Sequence, residues 1–206
     1  MTRKLPTKKS IGARQSGMTY IEMIVVLGIF SVLSTVAMFN YNGFQNQIDI
    51  KNLASDIALK IVEAQKSSLN GLLPETGAPF PGWKPAYGVY FSIDTSSMEA
   101  NPSKFVYFID QDQNGIFNTG SCSECIDQIT ITKGNSIYAI NIFFEDGTSD
   151  NFDDLSIVFK RPGSNPTITS AGGIPAGLSY AQVSIISPKG NISIIKIYAS
   201  GRIQLN

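Results

Sequence analysis

Oxygen-bearing side chains alternate in one short segment, DQDQNGI, over residues 110–116. This spacing matches the first half of a calcium-binding loop, in which alternate residues offer oxygens and a glycine permits the sharp bend. The predicted ligands are the side chains of Asp110, Asp112 and Asn114 and the carbonyl of Ile116. Ser121 stands where such loops place a bidentate glutamate, although Glu124 follows three residues later. A solvated acidic turn is the alternative, because Asp, Asn and Gly also favour turns.

Two cysteines, Cys122 and Cys125, form a C-x-x-C sequence directly after this segment. A redox site would need these cysteines at the start of a helix, whereas a strand is predicted to follow. A metal site would need two further soft ligands. Outside the cytoplasm, proximity and oxidising conditions favour a small-loop disulfide, and a structural disulfide is our prediction.

The chain contains no histidine, which removes the commonest general base and the commonest metal ligand. Without histidine, a serine nucleophile would need a lysine base, and no S-x-x-K sequence stands at the start of a predicted helix. No catalytic constellation is evident. We therefore predict that the protein is not an enzyme.

Charge is distributed unevenly along the 206 residues, although the formal net charge is zero. Residues 1–17 carry five bases and no acid, and residues 18–206 carry eleven bases and sixteen acids. A basic tail before an acidic body indicates a targeting segment instead of a nucleic-acid-binding surface.

An apolar run covers residues 18–39 and has no charge from Met23 to Phe39. Its 22 residues, at about 1.5 Å of helix rise each, match the roughly 30 Å hydrocarbon core of a bilayer. The basic flank predicts that residues 1–17 stay in the cytoplasm and that the rest is exported. A secretory signal peptide is disfavoured because the run is too long and no small-x-small cleavage site follows. A buried core helix is disfavoured by the basic flank.

Glu22 is an acid at the start of this apolar run. A charged side chain costs about 2.5–3.5 kcal/mol at the bilayer centre and less near the interface, so such residues are functional candidates. The alternative is an interfacial carboxylate that remains hydrated.

The segment RQSGMTYIEMIVVLGIF, residues 14–30, resembles the N-terminus of type IV pilins and type II secretion pseudopilins. The resemblance implies that a prepilin peptidase cleaves after Gly17 and methylates the new N-terminus at Met18. It also implies that Glu22 is the family's glutamate, which accepts the Met18 amine of a neighbouring subunit during assembly. Met18 and Tyr20 replace the more usual Phe and Leu, and many pilins have a proline near Phe39, where this chain has none.

Within this family, the chain looks most like the H-type minor pseudopilins and the FimT-like minor pilins. The similar segments are LASDIALKIVEAQKSSLNG, YGVYF and ISPKGNISIIKIYASGRIQ, at residues 53–71, 87–91 and 186–204. DNA-binding FimT-like proteins use basic residues near a C-terminal Gly-Arg motif. Here Gly201-Arg202 is present, but Gln204 is neutral and the mature chain would be acidic, so we do not expect nucleic acid as a partner.

The helical pattern continues beyond the apolar run. Asn40, Asn42 and Gly43 are weak helix formers, so we expect a looser helix at the end of the apolar run. Apolar residues recur at three- and four-residue steps, which predicts an amphipathic helical stem over residues 40–70. The stripe consists of Ile50, Leu53, Ala54, Ile57, Ala58, Ile61 and Ala64.

Asn70-Gly71 is predicted to end this helix, and a Pro/Gly-rich loop over residues 74–85 follows and contains Trp83. We expect Trp83 to cover the core, with contact to a partner as the alternative.

The rest of the chain, residues 71–206, is predicted to form a β-rich extracytoplasmic head. The predicted strands are Tyr87–Ile93, Lys104–Asp110, Gln128–Thr132, Ile137–Phe144, Leu155–Phe159, Ala181–Ser187 and Asn191–Tyr198, with a hairpin turn over residues 187–190. The predicted fold class is therefore α+β, with a long N-terminal helix, transmembrane and then amphipathic, packed on an antiparallel sheet.

We therefore predict a single-pass protein of the cytoplasmic (inner) membrane. Its leader covers residues 1–17, and its transmembrane helix covers residues 18–39. The resemblance implies a minor pilin or pseudopilin, a structural subunit of a type IV pilus or type II secretion filament. The implied partners are the prepilin peptidase, other subunits, the inner-membrane assembly platform and membrane lipid. The alternative function is a filament-tip binding module for DNA uptake or a secreted cargo.

Overall fold

The computed structural model describes residues 17–74, 77–95, 99–120 and 122–206. The predicted leader up to residue 16, and Ser121, lie outside the described residues. The described chain contains one long helix, α1 (Tyr20–Leu69), followed by ten strands. The strands are β1 (Ala86–Ser92), β2 (Lys104–Ile109), β3 (Cys125–Thr130), β4 (Ser136–Phe144), β5 (Ser149–Phe152), β6 (Asp154–Lys160), β7 (Pro166–Thr169), β8 (Leu178–Ile186), β9 (Ile192–Tyr198) and β10 (Ile203–Leu205).

The chain divides into two compact units, with the boundary between Gly43 and Phe44. In the N-terminal unit, the described side chains of α1 are exposed, including nearly all of its large apolar residues. The hydroxyls of Ser31 and Thr35 donate to the carbonyls four residues earlier, both at 2.8 Å. This part of α1 is long and apolar enough to cross a membrane. The helix runs through Gly43 without a break.

In the C-terminal unit, Phe44–Asn206, α1 buries most of the predicted apolar stripe, with Leu53 and Ala58 half-buried. Ile50, Ala54, Ile57, Ile61 and Ala64 are all at most 2% exposed. The helix ends as Asn70-Gly71 predicts, because Gly71 has a φ of 70° and the N–H groups after Asn70 bond back to the last turn. This is a Schellman motif, which satisfies helix-end carbonyls.

The ten strands form two five-stranded sheets in which every pairing is antiparallel. The first sheet has the order β3-β2-β1-β6-β7, and the second has the order β10-β9-β8-β4-β5. The predicted α+β class is therefore confirmed at the level of one long helix and antiparallel sheets.

The seven predicted strands all occur, as β1, β2, β3, β4, β6, β8 and β9. Their bounds differ most at β3 and β8, which begin at Cys125 and Leu178, each three residues before the predicted start. The structure adds three strands of three or four residues, β5, β7 and β10. The predicted hairpin turn is confirmed, since Gly190 N–H donates to Ser187 O at 2.9 Å.

The main core lies where α1 and one face of each sheet contribute side chains to a single cluster. Trp83 is 6% exposed and belongs to this cluster, which confirms that it covers the core. The first sheet also has a second, smaller cluster, formed by Ala86, Tyr90, Val106, Phe108, Phe117 and Val158. Because side chains cover both faces of the first sheet, every residue of its central strand β1 is buried.

Gly88 lies in the middle of β1 and makes room for the second cluster. A Cβ added there would lie 2.7 Å from the Ile157 carbonyl oxygen and 2.8 Å from the Phe108 ring. The absence of a side chain at this position allows Phe108 to pack directly against the strand.

Candidate functional sites

The first candidate site is the start of α1, where Gly17, Met18 and Thr19 precede the first helical residue, Tyr20. Met18 is 67% exposed, and the Glu22 side chain is exposed in the first turn. An acid is favourable there because the N-terminal end of a helix carries a partial positive charge.

Thr19 caps this helix, a role that our sequence analysis missed. The Thr19 hydroxyl accepts the backbone N–H of Glu22 at 3.4 Å, and the Thr19 carbonyl accepts the N–H of Met23 at 3.1 Å. The signal was present in the sequence, because T-x-x-E is the pattern of a capping box. Glu22 therefore contributes its backbone N–H to the cap at the start of α1.

The second candidate site is the connection between β2 and β3, which we call the acidic loop (residues 110–124). Among the described residues, Asp110, Asp112 and Glu124 form one group of three acids whose candidate ligand oxygens all lie within 4.8 Å of one another. Asp110 and Glu124 are 1% and 2% exposed, whereas Asp112 is exposed. Carboxylate oxygens at this spacing are suited to a hard divalent cation.

Asp110 directly follows β2 and is held by backbone contacts. Its N–H donates to the Ala86 carbonyl at 3.0 Å, and its Oδ2 accepts the N–H of Gly115 at 3.0 Å. Gly115 has a φ of 78°, which glycine adopts without strain, and this allows the tight turn. The other oxygen, Oδ1, is buried and has no hydrogen-bond donor.

Backbone N–H groups and side-chain amides position the other two carboxylates. Asp112 Oδ1 accepts the Asn114 N–H at 3.1 Å, and its Oδ2 accepts the side-chain amides of Asn114 and Asn118 at 2.8 and 3.1 Å. Glu124 accepts the N–H of Gln111 at 3.1 Å on Oε1 and that of Asn118 at 3.0 Å on Oε2. The three carboxylates are thus fixed before any ligand arrives.

The predicted ligands fall into two groups. The side chains of Asp110 and Asp112 lie close together, and the third acid beside them is Glu124. The Asn114 side-chain oxygen accepts the Ile116 N–H at 2.7 Å, so it closes the turn. Calcium-loop spacing places the last carboxylate at residue 121, and this is why spacing alone did not select Glu124.

Burial and neighbouring acids perturb the carboxyl groups of this loop. Burial is the main reason that the pKa of Asp110 rises to about 6, and the nearby Asp112 and Glu124 raise it further, against the lowering effect of the Gly115 N–H. Desolvation opposes ionisation of the Asp112 side chain, although it is largely exposed, but hydrogen bonds from Asn118, Asn114 and Asp110 outweigh this effect and lower the pKa of Asp112. Ionisation of the Asp110 carboxyl group is therefore less favourable than that of an exposed aspartic acid.

Several contacts anchor the acidic loop to the first sheet. Phe117 is 3% exposed, and its ring packs 4.8 Å from that of Tyr90 and 5.0 Å from that of Phe108. The Phe117 N–H donates to the buried Ser156 hydroxyl at 3.0 Å. Trp83 Nε1 donates to the Asp110 carbonyl at 3.2 Å, which connects the chain's single tryptophan to the loop.

A disulfide joins Cys122 and Cys125, whose Cα atoms are 5.0 Å apart. Cys125 is the first residue of β3, so no helix begins at this pair to support a redox role. Glu124 lies between the two cysteines in sequence. The disulfide therefore restricts the backbone that carries Glu124.

At the C-terminus, the Gly-Arg motif is engaged within the chain. The Arg202 guanidinium lies over the Tyr198 ring, 3.9 Å from its centroid, and the Tyr198 hydroxyl donates to the Gln204 side chain at 3.1 Å. Tyr180 packs beside Tyr198, with ring centroids 5.4 Å apart. Arg202 thus lies against Tyr198 on the outer face of the second sheet and remains exposed.

Comparisons with models of protein families, with curated proteins and with solved structures find no match to this chain.

Proposed function

We propose that this protein is a minor pilin or pseudopilin, a structural subunit that assembles into a type IV pilus or type II secretion filament. The observation that carries the proposal is α1, a 50-residue helix that begins three residues after Gly17. Its first part exposes apolar side chains, and its second part buries an apolar stripe in the C-terminal unit. A membrane anchor and a folded domain thus share one helix.

The chemistry of assembly follows from Met18 and Glu22. Cleavage after Gly17 creates a positively charged amine at Met18, which without a partner is costly at the edge of a bilayer. The exposed carboxylate of Glu22 on a neighbouring subunit provides the opposite charge. Breaking or omitting one partner of a poorly solvated ion pair costs several kcal/mol, roughly 3–5. The pair therefore favours addition of a subunit over its remaining alone in the membrane.

In this proposal, the parts of the chain lie on the two sides of the cytoplasmic membrane. The leader lies in the cytoplasm, where the prepilin peptidase reads it, and the C-terminal unit lies outside the cytoplasmic membrane. Other subunits, the inner-membrane assembly platform and membrane lipid are the partners. The protein performs no reaction of its own in this proposal.

A filament-tip binding module for DNA or a secreted cargo is the weaker proposal. Residues 18–206 contain five more acids than bases, which opposes binding to phosphate groups. Arg202, the base of the C-terminal motif, packs on Tyr198. Neither observation favours nucleic acid.

Mass spectrometry of the N-terminus tests the proposal. The full chain is coexpressed with a prepilin peptidase, and in parallel with a catalytically inactive peptidase. We expect a mature chain that begins at N-methylated Met18 only with the active enzyme. Gly17→Leu should remain uncleaved, whereas Gly28→Leu, a matched change inside the apolar helix, should be processed normally.

Two results would contradict the proposal. One is an intact N-terminus in the presence of active peptidase, with the chain in the membrane fraction. The other is cleavage beyond residue 39, which would identify the apolar segment as a secretory signal peptide.

A further inference from the structure

The carboxylates of the acidic loop have a spacing that one metal ion can bridge. Calcium binds oxygens at about 2.3–2.6 Å, so two ligands of one ion lie at most about 5 Å apart. The candidate oxygens of Asp110, Asp112 and Glu124 meet this limit, since all lie within 4.8 Å of one another. A single cation can therefore contact all three side chains.

A separate observation identifies what these carboxylates lack. Asp110 is 1% exposed, and its Oδ1 atom is buried without a hydrogen-bond donor. Buried carboxylate oxygens are otherwise paired with donors or metals, because an unpaired one loses its hydration without compensation. The neighbouring ligand candidates are two further acids, and neither supplies a donor when it is ionised. A proton shared between the side chains of Asp110 and Asp112 satisfies the pair without a metal. When both are ionised, the group lacks a positive charge, which a bound cation supplies.

The chemistry of the donors selects the ion. All three ligands are carboxylates, which suit calcium and magnesium more than the softer transition metals. The chain has no histidine, and its two cysteines are joined to each other. Backbone N–H groups hold Asp110 Oδ2, Asp112 Oδ1 and both oxygens of Glu124, and two side-chain amides occupy Asp112 Oδ2. Further lone pairs for a metal remain on Asp110 Oδ1, on Asp112 Oδ1 and on Glu124. Calcium tolerates such irregular geometry better than magnesium does.

We propose that Asp110, Asp112 and Glu124 bind a calcium ion, which stabilises the acidic loop on the outer face of the first sheet. The ion adds two positive charges to three negative ones and gives Asp110 Oδ1 a partner. Water completes the coordination shell, as is usual for calcium sites with few protein ligands. This inference goes beyond the proposed assembly function and does not depend on it.

Trp83 provides a direct measurement of binding. Its indole donates to the Asp110 carbonyl, and it is the chain's single tryptophan. The full chain, purified in detergent and freed of metal, is titrated with calcium while tryptophan fluorescence and heat are recorded. We expect saturable changes in both, and a higher Tm because the ion binds the folded state. Magnesium should bind roughly tenfold more weakly or worse.

Two charge-removing variants locate the ion. Asp112→Asn and Glu124→Gln should each weaken calcium binding roughly tenfold or more, because affinity depends on ligand charge. Asp146→Asn is the matched control, because Asp146 also accepts an N–H two residues later, that of Thr148 at 2.9 Å, but lies in the turn between β4 and β5. Its calcium affinity should equal that of the wild type.

A measurement on the unmodified chain covers the case in which these variants do not fold. Terbium(III) should bind in place of calcium and luminesce when Trp83 is excited, and added calcium should remove the emission. The proposal is overturned if the folded wild-type chain shows no heat, no change in fluorescence and no terbium emission at millimolar metal. It is also overturned if folded Asp112→Asn and Glu124→Gln bind calcium like the wild type, or if magnesium binds as tightly as calcium.

Discussion

The ammonium of Lys133 lies 2.6 Å from Oδ1 of Asp49, and this contact connects α1 to the turn between β3 and β4. The two residues are 84 positions apart in sequence. Gln45, one helical turn before Asp49, donates to the same carboxylate at 3.0 Å. The C-terminal unit thus holds its helix by an ion pair at the rim as well as by the apolar stripe.

Asp49→Asn should lower Tm slightly at neutral pH, in a manner that depends on pH. The hydrogen bond from Lys133 is the main reason that the pKa of Asp49 falls below its usual value of 3.8. A carboxylate with a lowered folded pKa contributes stability that is present above 3.8 and is lost as the pH falls through the folded value. The Tm difference between wild type and variant should therefore be full at pH 7 and should shrink as the pH falls below 3.8 and through the lowered folded pKa. Asp56→Asn, an exposed acid on the same helix, is the control; an equal effect there would contradict a specific pair.

Phe117→Ala should strongly destabilise the C-terminal unit. Truncation of a buried phenylalanine typically costs about 3–5 kcal/mol, and Phe117 fills the second cluster between Tyr90 and Phe108. Denaturant unfolding monitored by Trp83 fluorescence provides the measurement. Phe80→Ala should change the free energy of unfolding by less than about 1 kcal/mol, because Phe80 is 42% exposed. Similar losses for both variants would show that the second cluster contributes little.

Gly88→Ala should reduce stability through a steric conflict. The added methyl group would lie 2.7 Å from a backbone oxygen in β6 and 2.8 Å from the Phe108 ring. Overpacking of this kind typically costs about 1–3 kcal/mol. Gly172→Ala is the matched control, since its added Cβ would have nothing within 4 Å. Equal denaturation midpoints for the two variants would rule out close packing at Gly88.

Glu22→Gln should abolish filament assembly without preventing insertion or cleavage. Glutamine can replace glutamate at this position of a capping box, so the start of α1 should be preserved while the charge is lost. Insertion should be slightly easier, because a charge leaves the apolar helix. A blot of sheared filaments beside a blot of the membrane fraction measures both properties, with Glu63→Gln as the control for loss of an acid elsewhere on α1. Normal assembly of Glu22→Gln would show that the charge pair is dispensable.

Local patterns in the sequence were sufficient for most elements of the fold. The helical stripe predicted the buried face of α1, and runs of β-branched and aromatic residues predicted seven strands. The three missed strands have three or four residues each, and β7 begins with Pro166, so their local signal is weak. Separation into two sheets was not predictable, because it depends on pairings such as Tyr87 with Phe159 that lie far apart in sequence.

The acidic loop shows a similar limit at the level of a site. The oxygen spacing identified Asp110 and Asp112, which the structure brings together. Glu124 joins them because the chain returns through the disulfide to the start of β3, and linear spacing does not encode that path. Phe117 was also missed, since its partners Tyr90 and Phe108 come from two different strands.

The outermost strands of the two described sheets affect how neighbouring copies of the chain can contact one another. These strands are β3 and β7 in the first sheet and β10 and β5 in the second, and three of the four have at most four residues. Most residues of β3 are exposed, and most of these are polar. Short or polar outer strands are poor templates for hydrogen bonding with a strand from another molecule. Many copies of this chain held side by side should therefore meet through their side chains and resist fusing into a continuous, amyloid-like sheet.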